Sequence, residues 1–351
     1  MQKNVLKKIP APLLAWYGSA ARRLPWRELP SPYRTLVSEF MLQQTRIETV
    51  LPYFYRFLEA LPDIRALSLA DEQTLLKLWE GLGYYSRVRN LQKAARMVME
   101  EFGGEIPSSY RDLLRLPGVG PYTAGAIASI AFGLPVPAVD GNVLRVVSRI
   151  TASREDIGDL AVRRAMEKEL EKIIPEDAAG NFNQALMELG ALICLPGDPK
   201  CAACPLSACC AGYGTGIAAS LPVRQKKPDR KLQQKTVFVL ISRDRLALLR
   251  RPKGGLLGGL WALPSSEGFL SFAEAGKQLT GWGLTFESLT PLSPAKHIFT
   301  HVEWQMQGYL AHIHSFQKSP FSWACVRELQ KEYPLPSAYR FYLKEFYNAI
   351  L

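Results

Sequence analysis

Between Arg115 and Asn142 the chain narrows what it can fold into more than anywhere else. Leu116-Pro117-Gly118-Val119-Gly120 makes a glycine-rich turn that opens an uncharged helix, and that helix must stop before Pro135. Gly118 and Gly120 permit backbone conformations and close approaches that side chains block. The N–H groups that open the following helix have no partner within it and carry the positive end of its dipole. Ser109, three residues before Asp112, suits the cap of the preceding helix. Helix, tight turn, helix is therefore expected, with backbone donors at Gly118, Val119 and Gly120 offered to a phosphate. A plain corner between two helices is the simpler alternative. Asp140 follows as a lone carboxylate before another helix, where an Asp is ordinarily an N-cap.

The formal net charge is +11 and the pI about 9.3. This favours an anionic partner, most simply nucleic acid, although an acidic membrane surface also fits charge alone. Residues 222–235 hold six Lys/Arg against one Asp, with two prolines, and read as a basic interdomain linker. The uncharged run 116–139 is long enough to span a membrane, but its four Gly and four Pro break it up. The apolar stretch Pro10–Tyr17 is too short and too proline-rich for a signal peptide. No membrane association is expected.

Apolar periodicity predicts helices from Ser31 to about Gln44 and over 48–60, 72–80, 86–101, 109–115, 121–132, 141–150, 160–173 and 181–193. Beyond the linker, 236–241 and 246–250 read as a hairpin, 271–279 as a helix, 297–312 as a strand and 337–350 as a helix. The expected fold class is multidomain. An all-α region spans 1–220, the basic linker 221–235, and a smaller α+β domain 236–351.

Cys194, Cys201, Cys204 and Cys210 form C-x6-C-x2-C-x5-C, with Cys209 as a competing neighbour. Such clustering points to metal binding in a reducing compartment rather than to disulfides. Zinc and an iron–sulfur cluster both suit four thiolates. The single C-x2-C knuckle leans slightly away from zinc.

Together the glycine turn, Val139-Asp140-Gly141-Asn142, the cysteine cluster and Ser38-Glu39-Phe40-Met41-Leu42-Gln43-Gln44-Thr45 resemble the helix-hairpin-helix base-excision DNA glycosylases. With its extra C-terminal domain, the chain resembles the MutY adenine DNA glycosylases over nearly its full length. The resemblance implies a [4Fe–4S] cluster on the four cysteines. It also implies that Asp140 stabilises an oxocarbenium-like sugar, a task open to an aspartate beside a breaking glycosidic bond. Glu39 stands among Leu36, Phe40, Met41 and Leu42, where partial desolvation favours its neutral form. By resemblance it is the acid that protonates adenine at N7.

Tyr122 stands where the endonuclease III relatives carry a Lys that forms a Schiff base. A phenol forms no iminium, so base removal without strand cleavage is expected, with Tyr122 near the catalytic carboxylates. Adenine has to leave the stack to be reached. Its pocket is assigned to Trp26, Arg27 and Gln184, while Gln44 and Tyr84 match family positions that wedge into the duplex. Arg87 and Arg89, just after the tyrosine pair, are candidate phosphate contacts.

The C-terminal domain resembles a Nudix fold without the metal-binding signature: ALPSSEGFLSFAEAG follows Gly258-Gly259-Leu260-Trp261. By resemblance Phe299-Thr300-His301 occupies the family's Phe-Ser-His turn, which inspects 8-oxoguanine opposite adenine. The implied protein is a monomeric, cytoplasmic, nucleoid-associated repair enzyme acting on duplex DNA with A:8-oxoguanine or A:G. An endonuclease III-like pyrimidine glycosylase and a non-enzymatic DNA-damage binding module are the alternatives. Tyr122 opposes the first, and the pair Glu39 and Asp140 opposes the second.

Overall fold

The computed structural model describes residues 3–225, 229–316 and 319–350. Two compact units emerge: residues 1–69 with 89–226, and residues 70–88 with 227–351. The stretch 70–88, expected to belong to the helical region, groups with the C-terminal chain.

The first unit is helical. Ser31 caps the Pro32–Leu42 helix by accepting from the Arg34 N–H at 3.1 Å, and Pro32 fits the first turn because its missing N–H has no helical partner. Leu36, Val37, Phe40 and Met41 from this helix are fully buried. Each contributes roughly 1.5–3 kcal/mol relative to exposure. Ser109 accepts from the Asp112 N–H, so the predicted cap stands. The next helix, Pro121–Phe132, ends at Gly133 in the left-handed region, which terminates it two residues before Pro135. The Ala179–Leu192 helix packs beside it, and the Gly141–Ile150 helix packs in turn on Ala179–Leu192. Pro10–Ala20, for which no helix was predicted, is also a helix. Its buried Leu13 and Tyr17 join the core of Val143, Val147, Phe182 and Leu189.

In the second unit a mixed sheet carries helices on both faces. The strands are β1 (Lys231–Ser242), β2 (Arg245–Arg250), β3 (Trp261–Ala262), β4 (Ser265–Glu267), β5 (Leu284–Ile298), β6 (Val302–Phe316) and β7 (Ser322–Cys325). The order is β3-β2-β1-β6-β5, with β1 and β6 parallel, β4 on β1 and β7 on β2. Val237, Val239 and Ile241 face the terminal helix Arg340–Ile350, whereas Phe238 and Leu240 face the Phe272–Gly281 helix. Side chains alternate across a strand, so covering both faces explains why 236–241 is an unbroken buried run. On β6, Gly308 has no side chain because any Cβ there would collide with the Tyr342 ring.

Three expectations need correction. The sheet begins at Lys231, so 231–235 belong to β1 rather than to a linker. Lys226–Pro228 of that stretch lie outside the described residues. Residues 297–312 are not one strand. Phe299–His301 turn the chain from β5 into β6, closed by the Phe299 N–H donating to the Val302 carbonyl at 2.8 Å. The terminal helix is preceded by a separate 3-10 turn at Ser337–Tyr339.

Candidate active site

Glu39 sits in the last turns of the Pro32–Leu42 helix and Tyr122 in the first turn after the glycine turn. The Tyr122 hydroxyl donates to Glu39 Oε2 at 2.7 Å. Glu39 is 4% exposed. Burial pushes its carboxyl up to about 7, with the Asp140 charge adding to the rise and the Tyr122 hydrogen bond opposing it. Burial and the neighbouring carboxylates drive the Tyr122 phenol well above its ordinary value, so it remains a donor.

Asp140 is the N-cap of the Gly141–Ile150 helix. Its Oδ1 accepts from the Val143 N–H at 2.8 Å and its Oδ2 from Asn142 Nδ2 at 2.8 Å. Burial also raises this carboxyl, but several donors hold the ionised form, whereas Glu39 accepts from the Tyr122 hydroxyl. Burial thus favours the neutral form at Glu39, while the donors on Asp140 oppose the same effect there. The Asn142 side chain accepts from Arg145 at 2.9 Å, and Arg145 also donates to the Gly190 and Cys194 carbonyls.

The turn itself is built on Gly118. Its φ of +81° lies in the left-handed region, and a Cβ would fall 2.8 Å from Asn90 Cβ and 2.9 Å from the Phe40 ring. Gly120 differs: its backbone is extended, φ −94°, with open space where a Cβ would stand. It caps the Pro121–Phe132 helix without a side-chain bond. The expectation of a phosphate donor at Val119 is corrected: its side chain is buried and its N–H donates to the Leu116 carbonyl at 3.0 Å, closing the turn.

Arg27 and Gln184 meet: Arg27 Nε donates to Gln184 Oε1 at 2.9 Å. Trp26 is buried edge-on against Phe54, with ring centroids 5.1 Å apart. Sequence reasoning missed the anchor of this corner. Glu188, four residues beyond Gln184 on the same helix, accepts from Arg27 at 3.0 Å and from Arg22 at 2.7 Å. Its side chain is 1% exposed, and the two arginines hold its carboxyl below the usual range against the cost of burial. The i, i+4 spacing was the available signal. Asn183 was also missed as a positioning residue. It accepts from the Ala138 N–H and donates to the Val136 carbonyl and Ser129, fixing the segment that leads to Asp140.

Gln44 and Tyr84 both adopt positive φ, 59° and 48°, rare for residues with a side chain and a form of local strain found at functional sites. Tyr84 is exposed, and in the second unit its hydroxyl lies 2.8 Å from Thr300 Oγ1. Phe299 is half-buried, while Thr300 and His301 are exposed. The expectation of a phosphate contact at Arg87 is corrected. Arg87 is buried, donates to the Leu82 and Gly83 carbonyls, and lies over the Trp79 ring. Arg89 is half-buried.

Cys194, Cys201, Cys204 and Cys210 line one pocket with Arg149, Lys200 and Leu206. Arg149 donates to Cys194 Sγ at 3.3 Å. Cys209 is outside that lining, its thiol donating to the Leu206 carbonyl. Among the described residues no group of three or more His, Cys, Asp or Glu is gathered closely enough for a metal ion. Four cysteine sulfurs around one pocket could hold zinc or an iron–sulfur cluster.

Residues 37–175 match the HhH-GPD superfamily of base excision DNA repair proteins, and residues 236–345 match the NUDIX domain. The adenine DNA glycosylase of Buchnera aphidicola subsp. Baizongia pistaciae is 37% identical over 254 residues, 72% of this chain and 72% of that protein. The adenine DNA glycosylase of Mus musculus is 36% identical over 85% of this chain and 69% of its own length. A non-covalent endonuclease III–DNA complex is 27% identical over 62% of this chain and 99% of that one, with a TM-score of 0.53. The helical unit thus has the endonuclease III-like fold, and the chain belongs to the adenine DNA glycosylase family of base excision repair enzymes.

Proposed function

We propose that this glycosylase removes adenine placed opposite 8-oxoguanine, or opposite guanine, in duplex DNA. Glu39 protonates the flipped adenine at N7. The C1′–N9 bond then breaks with its electron pair passing to the base, and Asp140 stabilises the oxocarbenium-like sugar until water adds. Tyr122 orients Glu39 and supplies no amine, so the products are free adenine and an abasic site with the strand intact. Trp26, Arg27 and Gln184 form the adenine pocket, with Glu188 holding Arg27. Gln44 and Tyr84 enter the duplex, Arg89 and the backbone donors of Gly118 and Gly120 grip phosphates, and Phe299-Thr300-His301 reads the opposite base. The protein acts as a monomer in the cytoplasm.

One observation carries this reading: a buried carboxyl with its acidity shifted to about 7 is hydrogen-bonded by a tyrosine at the position a lyase gives to lysine. Incubation with an A:8-oxoguanine duplex should give strand breaks only after alkali. Breaks without alkali would restore the lyase reading, and binding without base release would leave a binding module.

Four pocket-lining thiolates favour a [4Fe–4S] cluster on Cys194, Cys201, Cys204 and Cys210. Held there, the cluster would tie the loop 194–210 to the helical unit. Cys210→Ser should lose the visible iron–sulfur absorbance of the purified protein, and Cys209→Ser should keep it. The reverse outcome would exchange the fourth ligand.

A further inference from the structure

The basic stretch after the helical unit was expected to be an interdomain linker. Part of it does something else. Arg230 Nε donates to the Phe299 carbonyl at 3.2 Å, and the Lys231 N–H donates to the His301 carbonyl at 3.0 Å. Two consecutive residues thus clasp the first and last members of the turn that joins β5 to β6. The turn's own closure, Phe299 N–H to Val302 carbonyl, lies between them.

The Phe299 ring is fixed from the other side. It packs edge-on to Trp304 at 4.9 Å and to His297 at 4.6 Å. Trp304 is 1% exposed, donates its indole N–H to Gln233 at 2.9 Å, and has Lys235 and Arg251 over its ring at 5.0 and 5.7 Å. Cations over a tryptophan face hold the ring in place. Phe299 and His301 are therefore restrained by protein, and Thr300 is presented between them with its hydroxyl toward Tyr84.

We infer that Arg230 is a positioning residue for opposite-base discrimination: it sets the pose of Thr300 by holding the Phe299 carbonyl. This rests on the reading that the turn inspects the base opposite adenine. A guanidinium bond to a carbonyl is charge-assisted and directional, so it can restrain a turn that lies open to solvent. Arg230 is itself exposed and needs no contact with DNA to act in this way.

The test compares the full-length protein with Arg230→Ala, Arg230→Lys, Thr300→Ala and the Arg230→Ala/Thr300→Ala double variant. Single-turnover excision and affinity are measured on A:8-oxoguanine and A:G duplexes at several salt concentrations. Arg230→Ala should lower the preference for 8-oxoguanine by roughly three- to tenfold, the net scale of one solvent-exposed hydrogen bond. Arg230→Lys should recover part of it, and the double variant should fall no further than Thr300→Ala. Equal losses on both duplexes, with the salt slope reduced by about one, would make Arg230 a phosphate contact and overturn the inference. An unchanged preference in Arg230→Ala beside a reduced one in Thr300→Ala would also overturn it, leaving the turn's role standing. If Thr300→Ala keeps the full preference, the reading of the turn fails and the inference with it.

Discussion

Glu39 and Thr300 are polar groups prepared in opposite ways. Glu39 is sealed in a protein interior, where burial sets its acidity before any DNA arrives. Thr300 stands in solvent on a turn between two strands, where only its position is prepared. In the proposed function, base removal depends on a proton being available, which burial at Glu39 supplies. Reading the opposite base depends on donor and acceptor direction, which the exposed but tethered turn supplies. Substitutions in the first region should thus change rates by orders of magnitude, and those in the second should change preference by small factors.

The largest effect is expected at Asp140. Asn is as good an N-cap as Asp, so Asp140→Asn keeps the bond to the Val143 N–H, while its amide nitrogen loses the bond from Asn142 Nδ2, at a cost of about 1 kcal/mol in stability. The charge beside the developing cation is lost, and excision should slow by about a thousandfold. Single-turnover rates beside thermal melts separate the two roles: a variant that melts far lower and retains its rate would make Asp140 a cap and nothing more.

Glu39→Gln should slow excision by about 10²–10⁴ through loss of the acid. It also tests the interior directly. The carboxyl's ordinary value of 4.5 rises to about 7 on folding, so the folded state binds the extra proton between those values. The stability this provides is fully present below about 4.5 and lost as pH rises through about 7. Gln does not ionise, so Glu39→Gln should melt higher than the native protein at pH 8 and gain less at pH 5. A melting difference that is the same at both pH values would mean that Glu39 carries no proton into the folded state. In the native enzyme, excision should fall as pH rises above about 7, where the acid form is depleted.

The same contrast explains what could be read in advance. Ser31, Ser109 and Asp140 were visible as caps because a cap acts on the backbone three residues away. The Tyr122–Glu39 bond joins residues 83 apart, and no local pattern encodes it. Glu188 resembled any helical Glu until two arginines were found on it. Arg87 misled because an arginine beside tyrosines at the start of a helix suggests DNA, whereas carbonyls at Leu82 and Gly83 had already claimed it. The strand β5 was not foreseen because Pro291 and Pro294 interrupt its pattern. Prolines are tolerated there since β5 is an edge strand, and the register shifts between Leu292 and Ala295. The Pro10–Ala20 helix carries no charge and little polarity contrast between its faces, so periodicity gave no helical signal.

The smallest effect, and the one that most sharpens the contrast, is expected at Thr300. Thr300→Ala removes one hydroxyl from an exposed position, leaving the Phe299 and His301 clasp intact. Loss of a single neutral hydrogen bond is worth about 0.5–1.5 kcal/mol, or roughly two- to tenfold. That loss should appear as a reduced ratio of A:8-oxoguanine to A:G excision, while the fold and the melting point stay as they were. Thr300→Ser should behave almost as the native protein, since it keeps the hydroxyl and removes only a methyl group. If Thr300→Ala instead slowed excision a hundredfold on both duplexes, the exposed turn would be part of the chemical step, and the division between an interior that reacts and a surface that reads would not hold.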